Sequence, residues 1–320
     1  MASPQTQARQ RAAVIVNPTK KTDFDVRVRV AEICADEGWD EPLFFETEAE
    51  DPGHSMTRKA VEAGVELVIA AGGDGTVRCV AAELAGTSTP MGLLPLGTGN
   101  LLARNLDIGV DDPEQAVRAA LNGTERRIDV VHVTVDEAVD SDTFLVMAGL
   151  GYDAGMMADT KDVLKDKIGW LAYVDAGIRN LPGKPVKTTI SIDGGKPIHR
   201  RLRSVMGGNC GKITGGLEIF PGAKLDDGLL DILTLAPKGK LGWLGVMTGL
   251  LRRGKGSSTA VEYYQCKRAE VWTESPLDFE MDGDHLGNAT HILFETEANA
   301  LRIRMPYGKK DPAVLSNPVP

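Results

Sequence analysis

Apolar and polar positions along the first 130 residues follow two alternating periods. Unbroken apolar runs at Ala12–Val16, Leu43–Phe45, Leu67–Ala70 and Met91–Leu94 read as short buried strands. Between them the apolar residues recur at helical spacing, predicting helices around Phe24–Glu37 and His54–Ala63 and over Val77–Leu84 and Leu101–Leu106. Asp112 followed by Pro113 and Glu114 marks a further helix start, an N-cap with proline in the first turn. Alternation of strand and helix implies a mainly parallel sheet covered by helices. After Arg127 the period shortens to two, with runs at Ile128–Val135, Thr143–Met147, Val186–Ile192, Ile198–Val205, Leu229–Leu235, Val261–Trp272, Leu277–Met281, His291–Glu295 and Leu301–Met305. Asp193-Gly194-Gly195 fits a hairpin turn. Two helical insertions are predicted, at Asp162–Asn180 and Lys240–Arg252. The expected fold class is α/β: an N-terminal mainly parallel α/β domain plus a C-terminal antiparallel, β-rich, sandwich-like domain. The expected division is 1–133, 134–305 and a frayed tail at 306–320.

Composition narrows the class. At 320 residues and 42% hydrophobic content the chain can build about two ordinary cores. A net charge of −9 argues against a nucleic-acid partner, which needs a broad basic face. Cys34, Cys79, Cys210 and Cys266 are far apart with no CxxC pair, the usage of reduced packing residues in a cytoplasmic protein. No stretch approaches the ~20 apolar residues of a membrane span, and the polar N-terminus leads into an apolar run too short for a signal peptide. The chain is expected to be soluble or peripheral.

The chemistry collects at two glycine turns. Gly72, Gly73, Asp74, Gly75 and Thr76 follow one buried strand and open a helix, where glycine allows positive φ and close approach of an anion, and the helix directs its positive end at it. A pure anion cradle would avoid Asp74, so this carboxylate suggests metal binding or orientation of an attacking hydroxyl. Alone, GGDGT is read equally well as a tight turn with a helix cap. A second turn, Pro95-Leu96-Gly97-Thr98-Gly99-Asn100, follows the next strand, and Asn17-Pro18 adds a third loop on the same edge. Successive loops at the carboxyl ends of parallel strands form the walls of a nucleotide cleft.

VIVNPTK, GGDGT and LLPLGTGNLLARNL, in this order, resemble the diacylglycerol kinase catalytic-domain family of lipid kinases, which includes sphingosine and ceramide kinases. The likeness continues through Arg127-Ile-Asp-Val, Gly149-Leu-Gly-Tyr-Asp-Ala, Gly216-Leu, Pro221-Gly-Ala-Lys-Leu-Asp-Asp-Gly-Leu-Leu-Asp and Met281-Asp-Gly-Asp, covering roughly residues 12–305. The resemblance implies an ATP- and Mg²⁺-dependent kinase acting on a lipid hydroxyl such as that of diacylglycerol. ATP would be held by Asn17, Thr19, Thr47, Gly72, Gly73, Asp74, Gly75, Thr76, Val77, Arg78 and Thr98. Asp74 and Asp129 are candidates for organising the catalytic Mg²⁺ and its waters. For Asp129, pairing with Arg126 or Arg127 is an equal alternative. A structural Mg²⁺ is implied at Asp227 with the carbonyls of Lys224 and Leu229, whereas the residues Asp226-Asp227-Gly228 by themselves read as an ordinary turn. The resemblance also implies that the final strand returns to the first domain.

Departures from the family bear on catalysis. The family carries Asp-Gly-Glu late in the chain, its glutamate taking the proton from the lipid hydroxyl, and Asp282-Gly283-Asp284 stands here. Asp284, the candidate general base, is one methylene shorter and withdraws its carboxylate by roughly 1.3 Å. Arg78 and Cys79 stand where relatives commonly carry Asn and Glu. Between Lys238 and Lys255 a helix bearing Leu241, Trp243, Leu244, Val246, Met247, Leu250 and Leu251, with basic ends, suits either an anionic membrane surface at the inner face or packing on the β domain. A kinase of a soluble substrate of the NAD type and a non-catalytic lipid- or nucleotide-binding protein stay open as alternatives. The lipid acceptor is not readable, and neither is the oligomeric state, a homo-oligomer included.

Overall fold

The computed structural model describes residues 10–151, 184–213, 218–237 and 260–306. These fall into two units, one of the chain up to Arg127 with a return from Ala300, the other from Ile128 to Asn299. The predicted helices at 162–180 and 240–252, with Trp243, lie outside the described residues.

In the first unit β1 (Ala12–Val16), β2 (Leu43–Glu46), β3 (Leu67–Gly72) and β4 (Met91–Pro95) pair in parallel in the order β2-β1-β3-β4. Every residue of β1, β3 and β4 is buried, which is why their sequences are continuous apolar runs rather than alternating ones. Helices α1 (Val26–Asp36), α2 (His54–Glu62), α3 (Asp74–Leu84), α4 (Leu101–Asn105) and α5 (Pro113–Asn122) connect and cover them. Asp112 caps α5 as expected, its carboxylate accepting the Gln115 N–H at 3.0 Å. Because the strands are parallel, the loops after β1, β3 and β4 emerge on one edge of the sheet.

The second unit is antiparallel, in agreement with the period-two reading. After β5 (Thr124–Val135) come β6 (Asp142–Phe144), β7 (Met147–Leu150), β8 (Val186–Ile192), β9 (Ile198–Leu202), β10 (Ser204–Gly208), β11 (Leu230–Leu235), β12 (Val261–Cys266), β13 (Arg268–Met281) and β14 (Asp284–Met305). β12, β11, β10, β7, β13 and β14 are successive neighbours, with β8 and then β9 added beside β13. Phe144 and Phe294 meet edge to face at 5.7 Å in the core, among Ile232, Val271 and Ile292. The β8–β9 hairpin turns on Asp193 and Gly194, both at positive φ, with the Gly195 N–H donating to Ile192 O at 2.8 Å. β14 begins against β13 and ends in the first unit, where Ile303 pairs in parallel with Met91 of β4.

Three predicted strands are interrupted, each for a local reason. The Thr143–Met147 run breaks between β6 and β7 because the Asp282 carboxylate takes the N–H groups of Leu145, Val146 and Met147. The Val261–Trp272 run breaks at Lys267, where the Lys267 and Arg268 N–H groups both donate to Asp193 Oδ1. The Ile198–Val205 run breaks at Arg203, where the chain leaves β8 as its partner and joins β7 and β11. Alternation along a strand carries no record of a side chain that intercepts its backbone.

Candidate functional site

The three loops of the first unit are tied to one another by main-chain and side-chain bonds. The Asn17 N–H donates to Ala71 O at 3.0 Å and the Leu96 N–H to Gly72 O at 2.9 Å, so each parallel ladder continues into its loop. Asn17 Oδ1 accepts the Thr19 N–H and hydroxyl at 3.0 and 2.7 Å, and Asn17 Nδ2 lies 3.5 Å from Thr76 Oγ1. Thr47, buried just beyond β2, donates its N–H to Val16 O. Thr98 is exposed on the second glycine loop. Asn17, Thr19, Thr76 and the residues from Gly72 onward are therefore brought together.

Glycine serves these loops differently from the expectation. Gly72, Gly73 and Gly75 are not at positive φ; Gly73 sits at φ −95°. Close approach is the reason for Gly72, where a Cβ would stand 2.6 Å from the Thr76 side chain, and for Gly97 and Gly99 on the second loop. A Cβ on Gly97 would stand 2.6 Å from Gly73 Cα, and one on Gly99 would stand 2.6 Å from Asp74 Oδ2, so a side chain at either position would drive the two loops apart. The left-handed residue is Asn100, at φ 48° and ψ 47°, a conformation asparagine tolerates. Its side chain closes the loop on itself, Oδ1 accepting the Gly97 N–H at 3.0 Å and Nδ2 donating to Gly97 O at 2.8 Å.

Asp74 has a role the sequence does not announce. Its Oδ2 accepts the Asn100 N–H at 2.9 Å and its Oδ1 the Leu101 N–H at 2.6 Å, so the carboxylate fastens the second loop to the first turn of α3. The N-terminus of α3 has no side-chain cap, and the first N–H groups of a helix have no acceptor within it. Val77 lies beyond that set, because its N–H already donates to Gly73 O. Arg78 is buried within the helix. The donors suited to an anion are thus those of Gly73 to Thr76, while Val77 and Arg78 contribute through the packing of α3.

Asp129 departs from both of its expected roles. It is 0% exposed, with Oδ2 accepting the Gly228 N–H at 2.6 Å and Oδ1 the Asn299 N–H at 2.7 Å. Both oxygens fasten backbone, neither arginine supplies these bonds, and no surface is left for a hydrated cation. Burial pushes this carboxyl up to about 6, against the lowering effect of the two N–H donors. Lys224, Asp227 and Leu229 occupy the single turn that precedes β11, with the Leu229 N–H donating to Asp227 Oδ1 at 3.1 Å. Burial raises Asp227, and burial with the charge of Asp227 raises Asp231 to about 6. Among the described residues no group of three or more His, Cys, Asp or Glu is arranged as a metal cage.

Asp282 and Asp284 divide the labour of their motif. Asp282 and Gly283, at φ 48° and 91°, form the turn between β13 and β14, and the buried Asp282 carboxylate holds three N–H groups at 2.9–3.0 Å. Asp284 is the exposed first residue of β14, opposite Met281. Asn100 and Asp282 are positioning residues that sequence reasoning passes over. For both the available signal is Asn or Asp beside Gly, at a position needing positive φ.

Comparison with known proteins gives a consistent set. Residues 11–133 match the family described as diacylglycerol kinase catalytic domain, and residues 145–305 match the YegS C-terminal NAD kinase beta sandwich-like domain. A protein of Pseudomonas fluorescens named probable lipid kinase YegS-like is 31% identical over 93% of this chain and 96% of its own length. The diacylglycerol kinase of Bacillus subtilis is 28% identical over 87% of this chain and 91% of its own. The crystal structure of a diacylglycerol kinase from Bacillus anthracis shares the fold, with a TM-score of 0.65 at 21% identity over 96% of this chain and 98% of that one.

Proposed function

The chain belongs to the lipid kinase family of the diacylglycerol kinase catalytic domain, and we propose that it transfers the γ-phosphoryl group of ATP to the hydroxyl of diacylglycerol or a related lipid. The observation that carries the reading is the pair of loops in contact at Gly73 and Gly97, locked by Asp74 beside the uncapped start of α3. The N–H groups of Gly73 to Thr76 suit the phosphates of ATP, the hydroxyls of Thr47, Thr76 and Thr98 and the amide of Asn17 suit directed donation around them, and Thr19 holds the Asn17 amide in place through its own hydroxyl.

In this reading Asp284 accepts the proton of the lipid hydroxyl as its oxygen bonds to the γ-phosphorus and the bond to ADP breaks. Asp74 positions the second loop, and a carboxylate at the start of α3 suits a water of the Mg²⁺ that would accompany the nucleotide. That cation would supply charge neutralisation on the phosphates and needs few protein ligands. A structural Mg²⁺ fits the turn at Asp227 with the carbonyls of Lys224 and Leu229, where a positive charge would relieve carboxylates that burial has raised. Asp129 is left out of the cation set on the grounds of its burial and its two backbone bonds.

Among the described residues no helix is long and apolar enough to cross a membrane. Access to the lipid is proposed through the amphipathic segment 238–255, on its sequence alone. Flotation with anionic vesicles should weaken in Trp243→Ala and Arg252→Ala. Labelled ATP incubated with a total lipid extract and, separately, with NAD tests the reaction itself. Label in a chloroform-soluble product supports the lipid kinase, label in NADP supports a soluble-substrate kinase, and ATP binding with no product supports a non-catalytic protein.

A further inference from the structure

The turn after β1 carries a cation that none of the roles above employs. The Lys20 N–H donates to Asn17 O at 3.2 Å, and the Asn17 side chain holds the same turn through Thr19. From there the Lys20 side chain runs over the first glycine loop. Its Cε and Nζ lie 3.4 and 3.5 Å from the point that a Cβ on Gly73 would occupy, which sets the ammonium against the residue that caps α3.

This is an unfavourable place for a lysine in the protein alone. A helix start carries roughly half a positive charge, and a cation belongs at the opposite end. Among the described residues Lys20 makes no ion pair. The carboxylate of Asp74, next to Gly73 in sequence, has both oxygens on the Asn100 and Leu101 N–H groups. Two positive features thus converge on the loop with no counter-charge supplied for Lys20. An incoming anion with several oxygens would turn that repulsion into attraction, taking the helix N–H groups on one side and the ammonium on the other.

We infer that Lys20 Nζ contacts the terminal phosphate oxygens of the bound nucleotide and sets the affinity for polyphosphate over nucleoside. The inference rests on the reading of the paired loops as an ATP site. Nothing about lysine at this position follows from the glycine motifs themselves, because Lys20 lies on a different loop. A long, exposed side chain is ordinarily a solvated surface group, and only its placement over Gly73 distinguishes it from its neighbour Lys21.

Calorimetric titration of the full chain with ATP and with adenosine, in magnesium buffer, tests this in wild type, Lys20→Gln, Lys20→Arg and Lys21→Gln. Lys21→Gln removes the same charge one residue away and serves as the control. The expected result is a loss of about ten- to a hundredfold in ATP affinity for Lys20→Gln. Adenosine affinity should stay the same, Lys20→Arg should remain within a few fold of wild type and Lys21→Gln within about twofold. Equal losses in Lys20→Gln and Lys21→Gln, or an unchanged ATP affinity in Lys20→Gln, would overturn the assignment while leaving the nucleotide site standing. Wild type without ATP affinity would overturn the site itself, and the role of Lys20 with it. A matching urea midpoint in the two glutamine variants separates either result from a folding defect.

Discussion

Gly97→Ala is the sharpest perturbation of the loop pair. The added carbon would stand 2.6 Å from Gly73 Cα and 2.9 Å from Asn100 Oδ1. Ordinary carbon–carbon contact is about 3.5–4.0 Å, so the loops must separate by about 1 Å, and no rotamer can relieve a clash with a backbone atom. Overpacking of this kind costs about 1–3 kcal/mol. The same separation stretches the bonds from the Asn100 and Leu101 N–H groups to Asp74, now 2.9 and 2.6 Å, toward the limit of hydrogen bonding. Hydrogen bonds to a charged group contribute about 1.5–3 kcal/mol each, and water replaces part of that at a half-buried site. The expected total is about 2–4 kcal/mol in urea denaturation, with ATP affinity reduced at least tenfold by calorimetry. Asp74→Asn cannot accept both N–H groups and should weaken the same contact, so the double variant should lose less than the two single losses combined. A Gly97→Ala protein within about 0.5 kcal/mol of wild type and with unchanged ATP affinity would refute the close contact between the loops.

Removing the carboxylate in Asp282→Ala strands three buried N–H groups and should destabilise the chain by about 3 kcal/mol or more, read from the urea midpoint. Asp284→Asn should lower turnover with labelled ATP by a hundredfold or more, and Asp284→Glu, with the reach of the family residue, should at least match wild type; full turnover in Asp284→Asn would remove it as the base. Asp129, raised from 3.8 to about 6 chiefly by burial, binds its proton more tightly when folded. The stability this gives is fully present below pH 3.8 and is lost as pH rises through about 6, a change on the order of 3 kcal/mol. Urea midpoints between pH 4 and 7 should therefore show a downward component that disappears in Asp129→Asn, whatever that variant's absolute stability.

The parallel half was readable from the chain because β1, β3 and β4 are buried on both faces and α5 announces itself with Asp112 and Pro113. The glycine turns were also readable as loops at a sheet edge. Their internal logic was not. Spacing alone does not tell a glycine at positive φ from one needed where two backbones touch, as at Gly97 against Gly73, nor a carboxylate facing a cation from one gripping N–H groups, as at Asp74 and Asp129. The broken strands at Leu145 and Lys267 were hidden for the same reason. Their interruptors, Asp282 and Asp193, are more than 70 residues away in sequence.

β14 has a consequence for how the protein is made. Leu301, Ile303 and Met305 are buried, the Gly86 N–H donates to Ala300 O, and Ile303 completes the edge of β4. A ribosome that has released Arg127 has therefore delivered all of the phosphate loops but not the strand that seals their sheet, and must add some 170 further residues first. Until then β4 presents an open edge, a template for the wrong strand. Nascent chains halted before Ala300 should be prone to aggregation, and the isolated segment ending at Arg127 should depend on the 300–305 peptide supplied in trans.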